Sequence, residues 1–135
     1  MIQVSLTSHT IAPPMELTNI LDYLGVVAYL AKDCGEMNLF NQVKEQYQSI
    51  ANKWYTQAKS EADRKSYKNW LGGGETYSVI SPTTFEGAIT SGYTMFFNQL
   101  PQEKRIKALK YLLRVKEVDF NTLTDAYKYA ENSIF

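Results

Sequence analysis

A chain of 135 residues and 15.4 kDa, 44% hydrophobic and 21% charged, has the size and composition of one globular domain, which excludes wholesale disorder. Its 14 basic and 14 acidic residues cancel, so bulk charge gives no argument for a polyanionic partner. Cys34 is the only cysteine, which excludes an intramolecular disulfide.

The chain opens with "MIQVSLTSHTIA", where Ile2, Val4 and Leu6 alternate with polar residues as in a short strand or extended arm over residues 1–12. No basic region precedes an apolar core there, the first Lys or Arg being Lys32, so no secretory leader is expected. Pro13 and Pro14 end the arm and suit the first turn of a helix.

A first helix is predicted from Pro14 to Lys32. Leu17, Ile20, Leu21, Leu24, Ala28 and Ala31 share a face, while Tyr23, Val26, Val27, Tyr29 and Leu30 make its second half apolar all round. That marks a helix covered on several sides. The apolar run from Tyr23 to Ala31 is far shorter than the ~20 residues of a membrane span, so a soluble, cytoplasmic protein is expected. Gly35 breaks the helix. A second follows from Met37 to Lys59, with Phe40, Val43, Tyr47, Ile50, Ala51, Trp54 and Ala58 at helical spacing. Ser60 with Asp63 resembles a cap for a separate third helix over 61–71.

Residues 72–82 form a glycine-rich link. Gly72 to Gly74 match neither Walker A, which needs a lysine, nor the GxGxxG fingerprint between a strand and a helix. They read as a helix stop with a left-handed residue. "ETYSVIS" is compatible with a few strand residues beside the N-terminal arm. Thr83 and Glu86 have capping-box spacing for a fourth helix, along which Phe85, Ala88, Ile89, Gly92, Tyr93 and Phe96 form one stripe. The backbone amides of Thr83, Thr84 and Phe85 at that start are the anion-binding candidates. Gly87, Ala88, Ser91 and Gly92 are small residues that let another backbone approach, within the fold or across a dimer.

Pro101 starts a fifth helix over 102–116, with Ile106, Leu109, Leu112 and Leu113 on one side. Lys104, Lys107, Lys110 and Arg114 gather on another, with Tyr111 among them. A basic stripe carrying an aromatic is chemistry for phosphate backbone or an acidic protein face, although lysines also solvate the outside of any bundle helix. A sixth helix capped by Asp119 or Asn121 carries Phe120, Leu123, Tyr127, Ala130 and Ile134. With the fifth it has helix-turn-helix spacing over about 102–132, but Asp119, Asp125 and Glu131 would repel phosphates.

Chemistry is otherwise sparse. His9 is the only histidine, so a multi-histidine metal site is excluded within one chain; it reads as a solvated arm residue. Cys34 has Asp33 and Glu36 beside it, the wrong sign of charge to favour a thiolate. No catalytic residue, metal ligand or cofactor is assigned. The expected fold is all-α: a five- to six-helix bundle or orthogonal array in one domain over 1–135, with a short extended N-terminal arm. The favoured role is a non-enzymatic protein-interaction or regulatory module, self-association included. Nucleic-acid binding through the helix pair is the first alternative, and a small-ligand site or enzyme at the 72–86 loop, near Glu75, Tyr77 and Glu86, the second.

Overall fold

The computed structural model describes residues 7–72 and 74–134, with the backbone alone over 67–72. Its elements run β1 (Thr7–Ile11), α1 (Met15–Asp33), α2 (Met37–Gly72), β2 (Glu75–Val79), α3 (Phe85–Ile89), α4 (Gly92–Asn98), α5 (Gln102–Leu113) and α6 (Thr122–Glu131). The fold is mainly α with a small two-stranded sheet. Two compact units emerge, one of residues 1–14 with 50–82, the other of residues 15–49 with 83–135. No helix among the described residues is long and apolar enough to cross a membrane.

In the smaller unit β1 and β2 pair in parallel, Thr7 opposite Glu75 through Ile11 opposite Val79. The expected strand residues at 75–79 do lie beside the arm. Residues 1–6, with Ile2, Val4 and Leu6, lie outside the described residues. His9 is not simply solvated. Its ring stacks on Tyr77 at 4.6 Å and 14°, as cross-strand neighbours on one face do, and Nε2 lies 3.6 Å from Glu75 Oε1. Lys65 of α2 sits 5.6 Å over the Tyr77 ring. Ser66 Oγ accepts from the Tyr77 N–H at 2.9 Å and donates to its carbonyl at 3.3 Å, so both main-chain groups of Tyr77 are satisfied by one hydroxyl. Gly74 takes the left-handed conformation (φ 61°) expected after the helix stop; Gly73 lies outside the described residues.

The larger unit is organised on α1, which packs against α3, α4 and α5. Its second half is buried all round, from Leu24 through Val26, Val27, Ala28, Leu30 and Ala31, as the sequence pattern requires. It ends in a Schellman turn: Glu36 N–H donates to Ala31 C=O at 2.8 Å, Gly35 N–H to Lys32 C=O at 3.1 Å, with Gly35 at φ 76°. Only glycine adopts that backbone without strain. Phe97, Leu112, Ala126 and Ala130 complete the core.

Two helix boundaries differ from expectation. Residues 61–71 do not form a separate helix; α2 runs unbroken from Met37 to Gly72. No proline or glycine falls between Lys59 and Gly72, and the ion pairs Lys59–Asp63 and Glu61–Lys65, at 3.5 and 3.2 Å, span the supposed junction. Conversely, the expected fourth helix is two. Thr90 closes α3, its hydroxyl donating to Glu86 C=O at 2.9 Å, and Ser91 opens α4 in an extended conformation. The cap of α3 is Thr84, whose Oγ1 accepts from Gly87 N–H at 3.1 Å, so Thr83 and Glu86 form no capping box.

The small-residue stripe packs partly within the fold. A Cβ added at Gly25 of α1 would lie 2.9 Å from Ala88 Cβ and 3.1 Å from Ala88 O, so α1 and α3 meet there at glycine distance. Gly92, by contrast, faces open space.

Candidate functional site

The break at Thr90 and Ser91 decides what the surface presents. On one continuous helix Tyr93 and Phe96 would share a face with Phe85 and Ala88, at about 100° per residue. Instead Thr94 and Phe97 turn inward, 1% and 2% exposed, while Tyr93, Met95 and Phe96 are 47%, 67% and 57% exposed. The ring of Tyr127 on α6 meets both Phe96 and Phe97 edge-on, at 5.1 and 5.6 Å between centroids. Between α4 and α6 lies a groove of about 350 Å³, lined chiefly by Tyr93, Phe96, Phe97, Leu123 and Tyr127, with Lys128 and Glu131 among its polar residues. Burial first, then the charge and hydrogen bond of Glu131, push the Tyr127 phenol above its ordinary pKa.

A second groove, of about 480 Å³, runs between α5 and α6. It is lined by Lys107, Lys110, Tyr111, Arg114, Val115 and Tyr129. Four of the five basic-stripe candidates are thus brought together, and Tyr129, 5.1 Å from Tyr111 between ring centroids, joins them. Lys104 falls outside this lining: its Nζ donates to Glu131 C=O at 2.6 Å, and Lys107 Nζ donates to Ile134 C=O at 2.9 Å. Glu131 is the last residue of α6, where a cation satisfies a carbonyl that lacks an intrahelical partner and opposes the helix dipole; Ile134 lies in the segment that follows. Part of the stripe therefore holds the end of α6 and the residues after it.

Arg105 has no place in the sequence-derived stripe, yet it joins three parts of the chain. Its Nε donates to Asp33 Oδ2 at 2.9 Å, and one terminal nitrogen donates to the carbonyls of Asn98 and Leu100 at 3.1 and 3.0 Å. It ties the ends of α1 and α4 to α5. Only its spacing from the lysines distinguishes it in sequence, so this role could not be read there.

The anion-binding candidates have structural duties. Thr83 C=O accepts from the Tyr47 hydroxyl, Thr84 caps α3, and Phe85 is 3% exposed. The Phe85 ring is met edge-on by Tyr47 and Phe40 at 5.5 and 5.6 Å. Glu75 and Tyr77 lie with His9 in the smaller unit, whereas Glu86 belongs to α3 in the larger. Burial, and then Asp33, raise the pKa of the Cys34 thiol against the lowering pull of Arg105. A thiol so placed is a poor nucleophile at neutral pH. Among the described residues no three His, Cys, Asp or Glu side chains converge as metal ligands. Comparison with protein-family models, curated proteins and solved structures found no match to this chain.

Proposed function

We propose that this chain is a non-enzymatic protein-binding module, acting in the cytoplasm, whose recognition surface is the α4–α6 groove with its exposed neighbour Met95. The observation that carries the reading is the outward aromatic face: Tyr93 and Phe96, 47% and 57% exposed, line one groove with Leu123 and Tyr127, and Met95 beside them on α4 is 67% exposed. Contiguous apolar surface of this kind marks interaction sites, where scattered single residues do not. A trough between two helices, floored by aromatic rings, matches the helix-in-groove mode, in which a partner lays the apolar side of an amphipathic helix along it. Lys128 and Glu131 offer one charge of each sign to fix the partner's orientation.

The test is photo-crosslinking from position 95 in the native host, compared with Phe96→Asp. One discrete partner, captured by the parent protein and lost in the variant while its circular dichroism is unchanged, supports the reading. Equal capture by both proteins overturns it. Truncating a central aromatic of such a surface costs ~2 kcal/mol of binding or more, a weakening of about thirtyfold.

A second reading is favoured by one observation: among the described residues the lining of the α5–α6 groove holds Lys107, Lys110 and Arg114 and no acidic side chain. Such a groove suits the phosphates of a single-stranded nucleic acid, with Tyr129 available for stacking. On this reading, affinity for a short oligonucleotide falls steeply between about 50 and 200 mM salt, and Lys110→Glu with Arg114→Glu abolishes it. A fluorescence-anisotropy titration checks both; no binding at low salt eliminates the reading.

A further inference from the structure

Where α1 ends, α2 begins and α3 ends lies a cavity of about 420 Å³, lined by Tyr29, Lys32, Asp33, Phe40, Ile89 and Thr90. All of them belong to the larger unit. The volume falls towards the small end of the range for small-molecule sites, which are concave, largely apolar and carry a few convergent polar groups. Phe40 and Ile89 supply apolar wall, and Lys32, in the last turn of α1, holds its ammonium 5.8 Å over the Phe40 ring. The polar groups differ in what they still offer. Asp33 is occupied, its Oδ2 accepting from Arg105 Nε at 2.9 Å. The Thr90 hydroxyl gives its proton to Glu86 C=O at 2.9 Å, so its oxygen has only acceptor capacity left. The Lys32 ammonium and the Tyr29 hydroxyl, by contrast, have no hydrogen-bond or ion-pair partner among the described residues. Burial, and then Asp33, raise the Tyr29 phenol pKa against the lowering pull of Arg105, which keeps it a donor at neutral pH. With Asp33 paired to Arg105, Lys32 is the charge on this lining left without a counter-ion among the described residues.

We propose that this cavity binds a small aromatic monocarboxylate, its carboxylate on Lys32 and Tyr29 and its ring against Phe40 and Ile89. Tyr29 and Lys32 stand one turn apart on α1, so they are neighbours on its surface and can donate to the two oxygens of one carboxylate. Hydrogen bonds to an ionised group are roughly twice as strong as neutral ones. A planar ring suits the wall because aromatic pairs gain more than the area they bury, and a hydroxyl on that ring finds an acceptor in Thr90 Oγ1. A phosphate dianion fits less well, since one unpaired ammonium faces it and the Asp33 carboxylate stands on the same wall. The site is distinct from the α4–α6 groove, with which it shares no lining residue.

The test adds para-hydroxybenzoate to the isotope-labelled full chain and follows its amide chemical shifts. Saturable shifts at Lys32, Phe40, Ile89 and Thr90 are expected, with a dissociation constant of ~1 mM or tighter, as suits a ligand this small. The uncharged twin, para-hydroxybenzamide, should bind about tenfold more weakly. The same loss is expected for the acid on Lys32→Met, which keeps the side-chain stem without its charge. Hexanoate, which has the charge without the ring, should bind about fivefold more weakly. No saturable shift at about 20 mM probe overturns the proposal, as do shifts confined to Tyr93, Phe96 and Tyr127. Equal affinity for acid and amide, or for hexanoate and the aromatic acid, overturns it too, and so does a Lys32→Met variant that binds like the parent. Should that variant lose its circular dichroism, the parent's preference for acid over amide decides alone.

Discussion

Gly25→Val is expected to lower the unfolding free energy by ~3 kcal/mol, and Gly25→Ala by ~1 kcal/mol. The alanine variant is the more telling. In an exposed helix, glycine to alanine stabilises by roughly 1 kcal/mol, because alanine loses less backbone freedom on folding. At Gly25 the new Cβ would meet Ala88 Cβ at 2.9 Å and the main-chain O and C of Ala88 at 3.1 and 3.2 Å. A side-chain tip could swing aside, but main-chain atoms move only if α3 moves. That helix is pinned by the Thr84 cap and by Phe85, 3% exposed among Tyr47 and Phe40. Overpacking therefore outweighs propensity. Valine adds two methyl groups to the same contact. Urea unfolding followed by circular dichroism checks both variants, and an alanine variant more stable than the parent would remove the close α1–α3 approach from the account of stability.

Tyr47→Ala should cost ~4 kcal/mol, as other buried aromatic-to-alanine changes do, and Tyr47→Phe ~1 kcal/mol for the lost hydrogen bond. Tyr47 is 1% exposed, its ring packs edge-on against Phe85, and its hydroxyl donates to Thr83 C=O. Phenylalanine keeps the packing and leaves that carbonyl short of a donor. The two costs also separate by pH. Burial first, and then the charge of Asp22, push the Tyr47 phenol from 10.0 to about 12. Below pH ~10 the phenol is neutral in both folded and unfolded states and its contribution is complete. Above that the unfolded phenol ionises while the folded one keeps its proton, so unfolding gains free energy. The advantage of tyrosine over phenylalanine thus shrinks as pH rises from 10 towards 12, and levels off beyond. Paired urea titrations of parent and Tyr47→Phe across that range measure the difference directly, with lysine and other tyrosine titrations common to both proteins. A constant difference would place the Tyr47 hydroxyl in solvent.

Sequence made legible those elements whose signals are local. The all-round apolar second half of α1 announces a core helix, Gly35 its end, and the residues 75–79 their strand. Lys107, Lys110 and Arg114 fall on one side because helical spacing puts them there, and the structure adds Tyr129 by packing α6 alongside. Illegible features depend on choices between near-equal local options. Ser60 and Thr83 are the caps that residue types suggest, yet neither serves: nothing between Lys59 and Gly72 stops α2, and the next residue, Thr84, caps α3. Arg105 looks like any cation of α5 until Asp33 and two carbonyls, all contributed by other parts of the chain, close around it. The stacking of His9 on Tyr77 likewise follows from strand register, which residue types on β1 and β2 leave unspecified.

The interruption at Thr90 and Ser91 has a consequence for how this protein could change over generations. Healing the helix there, by two strong helix formers in place of Thr90 and Ser91, would carry Phe96 back to about 20° from Phe85 and turn Thr94 away from the interior. The aromatic surface would vanish while every aromatic residue stayed in place. Descendants that keep Tyr93, Phe96 and Tyr127 but lose the interruption would retain the ingredients of that face and forfeit the face itself. Alignment columns 90 and 91, rather than the aromatic columns, are where its gain or loss would be written.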